Sequence, residues 1–271
     1  MQRAVAIIPA RYNSFRFTGK PLALLNKKPI IQHVYENVRH ARLIDMVLVA
    51  TDDERIYDTV KAFGGTAVMT SAEHTSGTDR IAEAARDIEC DIVVNIQGDE
   101  PFIKSDMVDD VVELLIGDDR ALVGTLAKRM TDIEDILSPD IVKVVMDNEG
   151  FALYFSRAPI PYIRDEWKLY GKASGRPGEA AEGVFEIRAS IPLPKRTHFF
   201  KHIGIYGYRK KTLLAFTSMD RSMLEMTEKL EQLRVLACGL RIKVRETEHD
   251  TLGIDTVEDL RKGEEWLNTY S

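Results

Sequence analysis

The feature that most restricts the fold of this chain is a series of apolar runs that alternate with helical patterns. Continuous runs rich in Val and Ile are typical of strands buried on both faces of a parallel sheet. Between them, residues 29–40, residues 53–63 and a stretch beginning near Thr78 carry apolar side chains at helical spacing. The apolar runs occupy residues 3–9, 46–51, 66–70 and 91–96. This alternation predicts an α/β fold with a doubly wound, mostly parallel sheet.

The last of these runs ends in an abruptly polar sequence, Asn-Ile-Gln-Gly-Asp-Glu-Pro at 95–101. In open α/β sheets, ligands bind just beyond the carboxyl ends of the strands. A carboxylate such as that of Asp99 is well placed there to hold Mg²⁺, a cation that takes oxygen ligands and shares them with substrate phosphates. The alternative is a plain Gly-Asp turn after a strand.

The loop after the first strand, residues 9–22, combines small polar residues and a glycine with the cations Arg11, Arg16 and Lys20. Arg and Lys donate charge-assisted hydrogen bonds, and backbone N–H groups can form an anion-binding nest, so the loop suits a polyphosphate. It matches neither a Walker A loop nor a G-x-G-x-x-G turn. A solvated basic loop is the alternative.

Polar residues also precede the helix that begins near Thr78. An arginine in the first turn opposes the helix dipole, so a ligand contact by Arg80 is favoured over a purely structural role. Ser76, Gly77 and Arg80 could hold a base or a phosphate at this helix N-terminus. Asp52 and Asp53, which follow the second strand, are expected to cap the next helix.

The second half of the chain is richer in strands. A segment over 163–199 has several Gly and Pro residues and little periodicity, and loops of this length are usually functional or mobile. Within the helix predicted over 225–239, Glu231 and Gln232 are expected on a solvated face, and Asp255 is expected to cap the last helix. Strands are predicted at 121–128, 141–146, 152–156, 202–208 and 240–247, and helices at 105–116, 225–239 and 257–267.

Composition excludes several classes of protein. The formal charge of −6 over 271 residues argues against nucleic acid as the main partner, because phosphate contacts need a basic face. No apolar run is long enough to span a membrane or to form the core of a signal peptide. The two cysteines, Cys90 and Cys238, form no metal-binding or disulfide pattern, which favours a reducing cytoplasm.

Taken together, ten segments resemble the cytidylyltransferases that activate 3-deoxy-manno-octulosonate (Kdo) as CMP-Kdo for lipopolysaccharide synthesis. They are Ile-Ile-Pro-Ala-Arg-Tyr at 7–12, Gly-Lys-Pro-Leu at 19–22, Ala-Thr-Asp at 50–52, Thr-Ser-Gly-Thr-Asp-Arg at 75–80, Asn-Ile-Gln-Gly-Asp-Glu-Pro at 95–101, Val-Lys-Val-Val at 142–145, Ala-Leu-Tyr-Phe-Ser-Arg-Ala at 152–158, His-Ile-Gly-Ile-Tyr-Gly-Tyr at 202–208, Leu-Glu-Gln-Leu-Arg at 230–234 and Gly-Ile-Asp-Thr at 253–256.

The resemblance implies a nucleotidyltransferase fold of Rossmann-like type, formed by a single domain over residues 1–271. Residues 1–120 would be the CTP-binding half, residues 121–210 a smaller β-rich subdomain for the sugar acid and dimerisation, and residues 211–271 a return to the main sheet. A homodimer is implied, with its contact in the second half of the chain.

The resemblance also implies a site and a Mg²⁺ cofactor, and it reverses the expectations from the pattern alone for Glu231, Gln232 and Asp255. The implied catalytic residues are Arg11, Lys20 and Asp99. The implied nucleotide-binding residues are Ala10, Arg11, Ser14, Lys20, Ser76, Gly77, Arg80 and Gln97. The implied sugar-binding residues are Arg157, His202, Tyr206, Glu231 and Gln232, and the implied metal ligands are Asp99 and Asp255.

Two alternatives stay open at this point. The chain could be a CMP-sugar synthetase for 8-amino-Kdo or sialate, because one or two side chains can distinguish an amine from a hydroxyl. It could also be a non-catalytic nucleotide-sugar binding protein. Phe15 and Thr18, which are unusual for the family's first loop, are the only features that favour this second alternative.

Overall fold

The computed structural model describes residues 2–13, 17–164 and 197–270, without the side chains of 268–270. In the first half, the elements are β1 (Ala4–Ala10), a 3₁₀ turn (Lys20–Leu22), β2 (Leu24–Leu25), β3 (Lys28–Pro29), α1 (Ile30–Arg39), β4 (Met46–Thr51), α2 (Glu54–Ala62), β5 (Ala67–Met69), α3 (Gly77–Ala85), β6 (Ile92–Asn95) and α4 (Ser105–Gly117). In the second half, they are β7 (Val123–Met130), α5 (Ile133–Leu137), β8 (Lys143–Met146), β9 (Ala152–Ser156), β10 (Phe199–Arg209), α6 (Lys210–Phe216), α7 (Met223–Glu228), α8 (Gln232–Ala237), β11 (Ile242–Glu246) and α9 (Val257–Tyr270).

The described strands form a mixed central sheet in the order β11-β7-β10-β6-β1-β4-β5. Strands β6, β1, β4 and β5 run parallel to one another, as the alternation of apolar runs and helices predicts. Strand β10 is antiparallel to both of its neighbours, and β11 is again parallel to β7. The hairpin of β8 and β9 joins the sheet through β10. The predicted α/β fold with a mostly parallel sheet is therefore confirmed.

Helices cover both faces of this sheet. On one face, Ile31 of α1 and Val111 of α4 pack in a core that includes Ile8. On the other face, Ile81 of α3 and Leu233 of α8 belong to a second core. Burial of each such side chain stabilises the fold by roughly 1.5–3 kcal/mol. No helix in the described part of the chain is both long enough and apolar enough to cross a bilayer.

The single helix predicted over 225–239 is wrong. The chain forms two short helices, α7 and α8, because Lys229 adopts a left-handed conformation with φ of 56° that ends the first of them. Met226 of α7, one of the apolar residues at helical spacing in the predicted helix, is 51% exposed. The break places Glu231 immediately before α8 rather than in the middle of a helix, and Gln232 is buried rather than on a solvated face.

Most of the long segment over 163–199 lies outside the described residues. The other predicted strands and helices agree with the described ones to within a few residues, but the helices α5 and α6 and the short strands β2 and β3 were not predicted. The fold brings the carboxyl ends of β1, β4 and β6 together beside the N-terminus of α3, and the loop that precedes α9 reaches the same edge.

Candidate active site

A cleft of about 430 Å³ opens at the carboxyl ends of β1 and β6. Gly98 is required there, because a Cβ atom at this position would lie 2.8 Å from the carbonyl oxygen of Pro9. The cleft is lined by Pro9, Ala10, Arg11, Lys20, Pro21, His74, Thr75, Ser76, Gly77, Arg80, Gln97, Gly98, Asp99 and Asp255. Three separate parts of the sequence, each predicted from its own pattern, thus meet at one site.

Lys20 joins the two carboxylates expected to bind a metal. Its Nζ lies 2.5 Å from Asp99 and 2.9 Å from Asp255, and only 11% of the lysine side chain is exposed. Burial by itself lowers the pKa of Lys20, but the adjacent carboxylates outweigh it and raise the net pKa above the ordinary value. Lys20 therefore carries a full positive charge between two acids.

Asp255 does not cap the last helix. The side chain of Thr256 accepts a hydrogen bond from the backbone N–H of Asp259, and Asp259 accepts bonds from the N–H groups of Asp255 and Thr256. This reciprocal arrangement is a capping box. The backbone N–H of Ile254 also donates to the carbonyl oxygen of Asp99 at 2.8 Å. The expectation of a cap at Asp255 was wrong, and its carboxylate faces the cleft instead.

The donor set of this cleft fits Mg²⁺. Asp99 and Asp255 already share one cationic group, the ammonium of Lys20. Within the described residues, no group of three or more His, Cys, Asp and Glu side chains has the arrangement of a metal site. Two carboxylates, completed by substrate phosphates and water, are the set that Mg²⁺ commonly uses.

The N-terminus of α3 forms the opposite wall of the cleft. Ser76 caps this helix, because its hydroxyl accepts from the backbone N–H of Asp79 at 3.1 Å. Arg80 is buried and is held by Asp52 at 3.0 Å and by the hydroxyl of Thr70 at 2.6 Å. Arg80 thus has a structural role that its position against the helix dipole did not predict, although it lines the cleft as well.

Asp53 alone caps α2, by accepting from the N–H of Arg55, whereas Asp52 binds Arg80.

His74 and Thr75 also line the cleft and had not been singled out from the sequence. The imidazole of His74 contacts the carboxylate of Glu83. Their sequence signals were their position just before Ser76 and, for Thr75, its place at the start of the segment 75–80 that resembles the family.

A second polar cluster lies on the α3 face of the sheet. His202 and Tyr206 lie on the same face of β10, with ring centroids 5.2 Å apart. Glu231 accepts a hydrogen bond from the hydroxyl of Thr78 at 2.5 Å, which links α8 to the first turn of α3. Burial lowers the pKa of His202 to about 3 and raises the pKa of Tyr206 and of Glu231.

None of the five expected sugar-binding residues lines the described cleft, but Thr78 connects Glu231 to its wall. Gln232 is 8% exposed, directly after Glu231. The guanidinium of Arg157 donates to the carbonyl oxygens of Glu228 and Pro139, both at 2.9 Å. Arg157 is therefore held by backbone groups of its own chain. Ser14, expected on the nucleotide side, lies outside the described residues.

Three buried side-chain oxygens in the described structure lack a hydrogen-bond partner: Asn95 Oδ1, Glu100 Oε2 and the Tyr206 hydroxyl. Asn95 and Tyr206 lie directly opposite each other on β6 and β10. Burial, followed by the nearby charge of Asp99, raises the pKa of Glu100 to about 8. Buried polar groups without partners are rare in folded proteins, so three of them near the end of β6 distinguish this region from an ordinary core. Glu100 was missed as a candidate although it follows Asp99 directly in the sequence.

Comparison with known proteins decides the family. Residues 5–242 match the model of the cytidylyltransferase family. A 3-deoxy-manno-octulosonate cytidylyltransferase of Thermodesulfovibrio yellowstonii is 48% identical, over 98% of this chain and 99% of that protein. The chain belongs to the 3-deoxy-manno-octulosonate cytidylyltransferase family. The corresponding protein of Geotalea daltonii is 49% identical over 96% of both chains.

Solved structures agree with this family. A CMP:2-keto-3-deoxy-manno-octonic acid synthetase complexed with CTP superposes with a TM-score of 0.86, at 37% identity, over 99% of this chain and 100% of the other. A 4-diphosphocytidyl-2C-methyl-D-erythritol synthase from Anaerococcus prevotii is 14% identical over 98% of this chain and 96% of the other, with a TM-score of 0.59, and shares the fold alone. The resemblance inferred from the ten segments, including the nucleotidyltransferase type of fold, is confirmed.

Proposed function

We propose that this protein transfers CMP from CTP to the anomeric hydroxyl of Kdo, giving CMP-Kdo and pyrophosphate for lipopolysaccharide synthesis. The observation that carries the proposal is the meeting of Lys20, Asp99 and Asp255 in one cleft, in a member of this family. A cation beside two carboxylates at the end of parallel strands suits phosphoryl chemistry, in which positioning and charge neutralisation dominate.

On the nucleotide side, Arg11 and Lys20 neutralise the triphosphate and stabilise the departing pyrophosphate. Arg11 is exposed and lines the cleft. Ala10, Ser14, Ser76, Gly77, Arg80 and Gln97 complete the nucleotide site. The N-terminus of α3 adds the positive end of its dipole to this wall, which favours an anion.

The cofactor of the proposed reaction is Mg²⁺, held by Asp99 and Asp255. When bound, the ion would supply electrostatic stabilisation at the α-phosphate and lower the pKa of the attacking hydroxyl. Asp99 and Asp255 then need only hold the cation and orient the reactants. The oxygen of the attacking sugar hydroxyl forms a bond to the α-phosphorus while its proton passes to solvent, and the bond from that phosphorus to the α–β bridging oxygen breaks, so that pyrophosphate leaves with this oxygen.

On the sugar side, His202, Tyr206, Glu231 and Gln232 surround the sugar acid, with Arg157 as a further contributor. Hydroxyl, imidazole, amide and carboxylate groups are suited to binding a polyhydroxylated substrate. The hydrogen bond from Thr78 to Glu231 supports this assignment, because it joins the cluster to the first turn of α3, whose N-terminus lines the cleft.

The direct test is pyrophosphate release by the purified protein with CTP and Mg²⁺, in separate reactions with Kdo, 8-amino-Kdo and sialate. We expect release with Kdo, and at least a 100-fold loss of turnover in Asp255→Asn, because one carboxylate of the pair is removed. Release only with another sugar would overturn the substrate and keep the mechanism. Binding of CTP without release in all three reactions would favour the non-catalytic alternative.

A homodimer in the cytoplasm completes the proposal. The apolar residues Leu153 of β9 and Met223 of α7 are 62% and 79% exposed, and both lie in the second half of the chain, where the dimer contact is expected. Both cysteines are free, which suits a reducing compartment. Sedimentation of Leu153→Glu should give a monomer, whereas Leu24→Glu, with a leucine 57% exposed in the first half, should remain dimeric.

A further inference from the structure

The two cations of the cleft, Arg11 and Lys20, flank a short loop whose ends are joined by a backbone hydrogen bond. We call the hydrogen-bonded pair, Tyr12 and Gly19, the neck of this loop. The backbone N–H of Gly19 donates to the carbonyl oxygen of Tyr12 at 2.8 Å. Arg11 and Lys20, which both line the cleft, are the residues immediately outside this pair. The hydrogen bond between residues 12 and 19 therefore holds together the backbone beside the two residues that carry the cations.

The aromatic ring of Tyr12 packs against this neck. Gly19 has φ of 74°, and a Cβ atom there would lie 3.2 Å from the ring. This close approach and the left-handed backbone both favour glycine at this position, because any other residue would be strained and would have to displace the ring. The position of the ring and the closure of the neck are thus coupled.

A guanidinium outside the cleft holds the ring in place. The Cζ atom of Arg55, at the start of α2, lies 3.3 Å from the centroid of the Tyr12 ring. Arg55 is itself oriented by Asp53, through Nε to Oδ1 at 2.9 Å and Nη2 to Oδ2 at 2.6 Å. A guanidinium over a tyrosine ring is a cation–π contact, and its fixed orientation reduces the entropy lost in making it.

We propose that Tyr12 and Arg55, with Asp53, are positioning residues for the nucleotide loop and set the placement of Arg11 and Lys20 for the triphosphate. Arg55 does not line the described cleft, so it acts through Tyr12. The inference rests on the proposed function, because it assumes that Arg11 and Lys20 bind CTP. Its structural part, closure of the neck, can be measured without any turnover.

The test compares Arg55→Met with Arg120→Met. Arg120 is a matched control, because it makes the same bidentate contact with an aspartate two residues earlier, Asp118, and lies 5.3 Å from the ring centroid of Phe151. In Arg55→Met we expect the KM for CTP to rise about two- to five-fold, the size of an exposed cation–π contact, with the KM for Kdo unchanged. The amide exchange of Gly19 should accelerate by a similar factor, and Arg120→Met should change neither quantity.

A second pair of variants separates the ring from the hydroxyl. Tyr12→Phe keeps the aromatic face and should behave like the wild type, whereas Tyr12→Leu should reproduce Arg55→Met. Unchanged amide exchange of Gly19 in both Arg55→Met and Tyr12→Leu would overturn the proposal, whatever happens to the KM for CTP. Faster exchange with an unchanged KM and Kd for CTP would overturn its functional half. A protein that never turns CTP over, but shows faster Gly19 exchange in these variants, would contradict the proposed function and leave the neck confirmed.

Discussion

At the scale of single residues, Lys20 is the residue on which the cleft depends most. It is largely buried and contacts both acidic side chains expected to hold the metal. Two carboxylates this close repel each other unless a cation lies between them. Lys20 therefore stabilises the charge arrangement of the free protein, in addition to the role toward the triphosphate that we propose for it.

Replacement of Lys20 by methionine should uncouple these two roles. We expect Lys20→Met to lower kcat by about 100- to 1,000-fold, the usual effect of removing a group that stabilises developing charge. Mg²⁺ should raise the melting temperature of the variant more than that of the wild type, because Asp99 and Asp255 lose their cationic partner. Steady-state kinetics and thermal melts with and without Mg²⁺ measure both effects. Lys28→Met, at an exposed ion pair, is the control, and wild-type kcat in Lys20→Met would contradict the assignment.

Tyr206 allows function and stability to be separated at one atom. Its hydroxyl is buried and has no hydrogen-bond partner, so its removal should not destabilise the fold. Tyr206→Phe is therefore expected to keep or slightly raise the melting temperature, while the KM for Kdo rises about ten-fold through the loss of one hydrogen bond to the sugar. An unchanged KM for Kdo would remove Tyr206 from the sugar site, and the KM for CTP serves as the internal reference.

At the scale of elements, the hairpin of β8 and β9 depends on a fully buried lysine. The ammonium of Lys143 donates to the carbonyl oxygens of Ser138, Ile141 and Arg157 at 2.6–2.7 Å. Burial, and then the nearby charge of Arg157, lowers the pKa of Lys143 to about 8. One side chain thus joins the segment before the hairpin to its end.

Lys143→Met should destabilise the protein more than any exposed lysine replacement. Each carbonyl left without a partner costs about 1–3 kcal/mol, so we expect a loss of at least about 3 kcal/mol in the free energy of unfolding. Urea denaturation, with the exposed Lys211→Met as control, gives the value. A loss below about 1 kcal/mol would show that water replaces the ammonium, and would contradict the bonding inferred for the hairpin.

The elements also show which features a sequence pattern predicts and which it does not. The strands of the first half were predicted because continuous Val and Ile runs are typical of strands buried on both faces of a sheet. The break between α7 and α8 was not, because Met226, Leu230 and Leu233 keep helical spacing across it. Only the left-handed backbone of Lys229 ends the helix, and lysine gives no signal for that conformation.

The candidate site shows the same limit. Asp99 was predicted from its place at the end of a strand, because strand ends are where ligands bind. Asp255 was expected to be a helix cap, and only the family resemblance moved it to the cleft. Nothing local could show that it shares a lysine with Asp99, because that contact spans 235 residues of sequence from Lys20. The pairing of Arg80 with Asp52 was hidden in the same way.

At the scale of the whole molecule, buried ionisable groups make the stability of the fold depend on pH. The pKa of His202 is lowered to about 3, below its ordinary 6.5. Between these values the unfolded chain binds a proton that the folded protein excludes, so this histidine weakens the fold as the pH falls. Glu100 acts in the opposite sense, because its pKa is raised to about 8 and its stabilising effect is lost as the pH rises from about 4.5 to 8.

These two opposing contributions make the absolute pH profile a poor test, so the difference between the wild type and His202→Gln is the quantity to measure. Glutamine can keep the contact with Thr125 but cannot titrate. The stability of the wild type relative to the variant should be constant above about pH 6.5 and should fall as the pH drops towards 3, by up to about 1.4 kcal/mol per pH unit. Urea denaturation at intervals from pH 8 to 4 measures it. A difference that does not change with pH would mean that His202 has the same pKa in the folded and the unfolded protein, and the lowering of its pKa by burial would then be wrong.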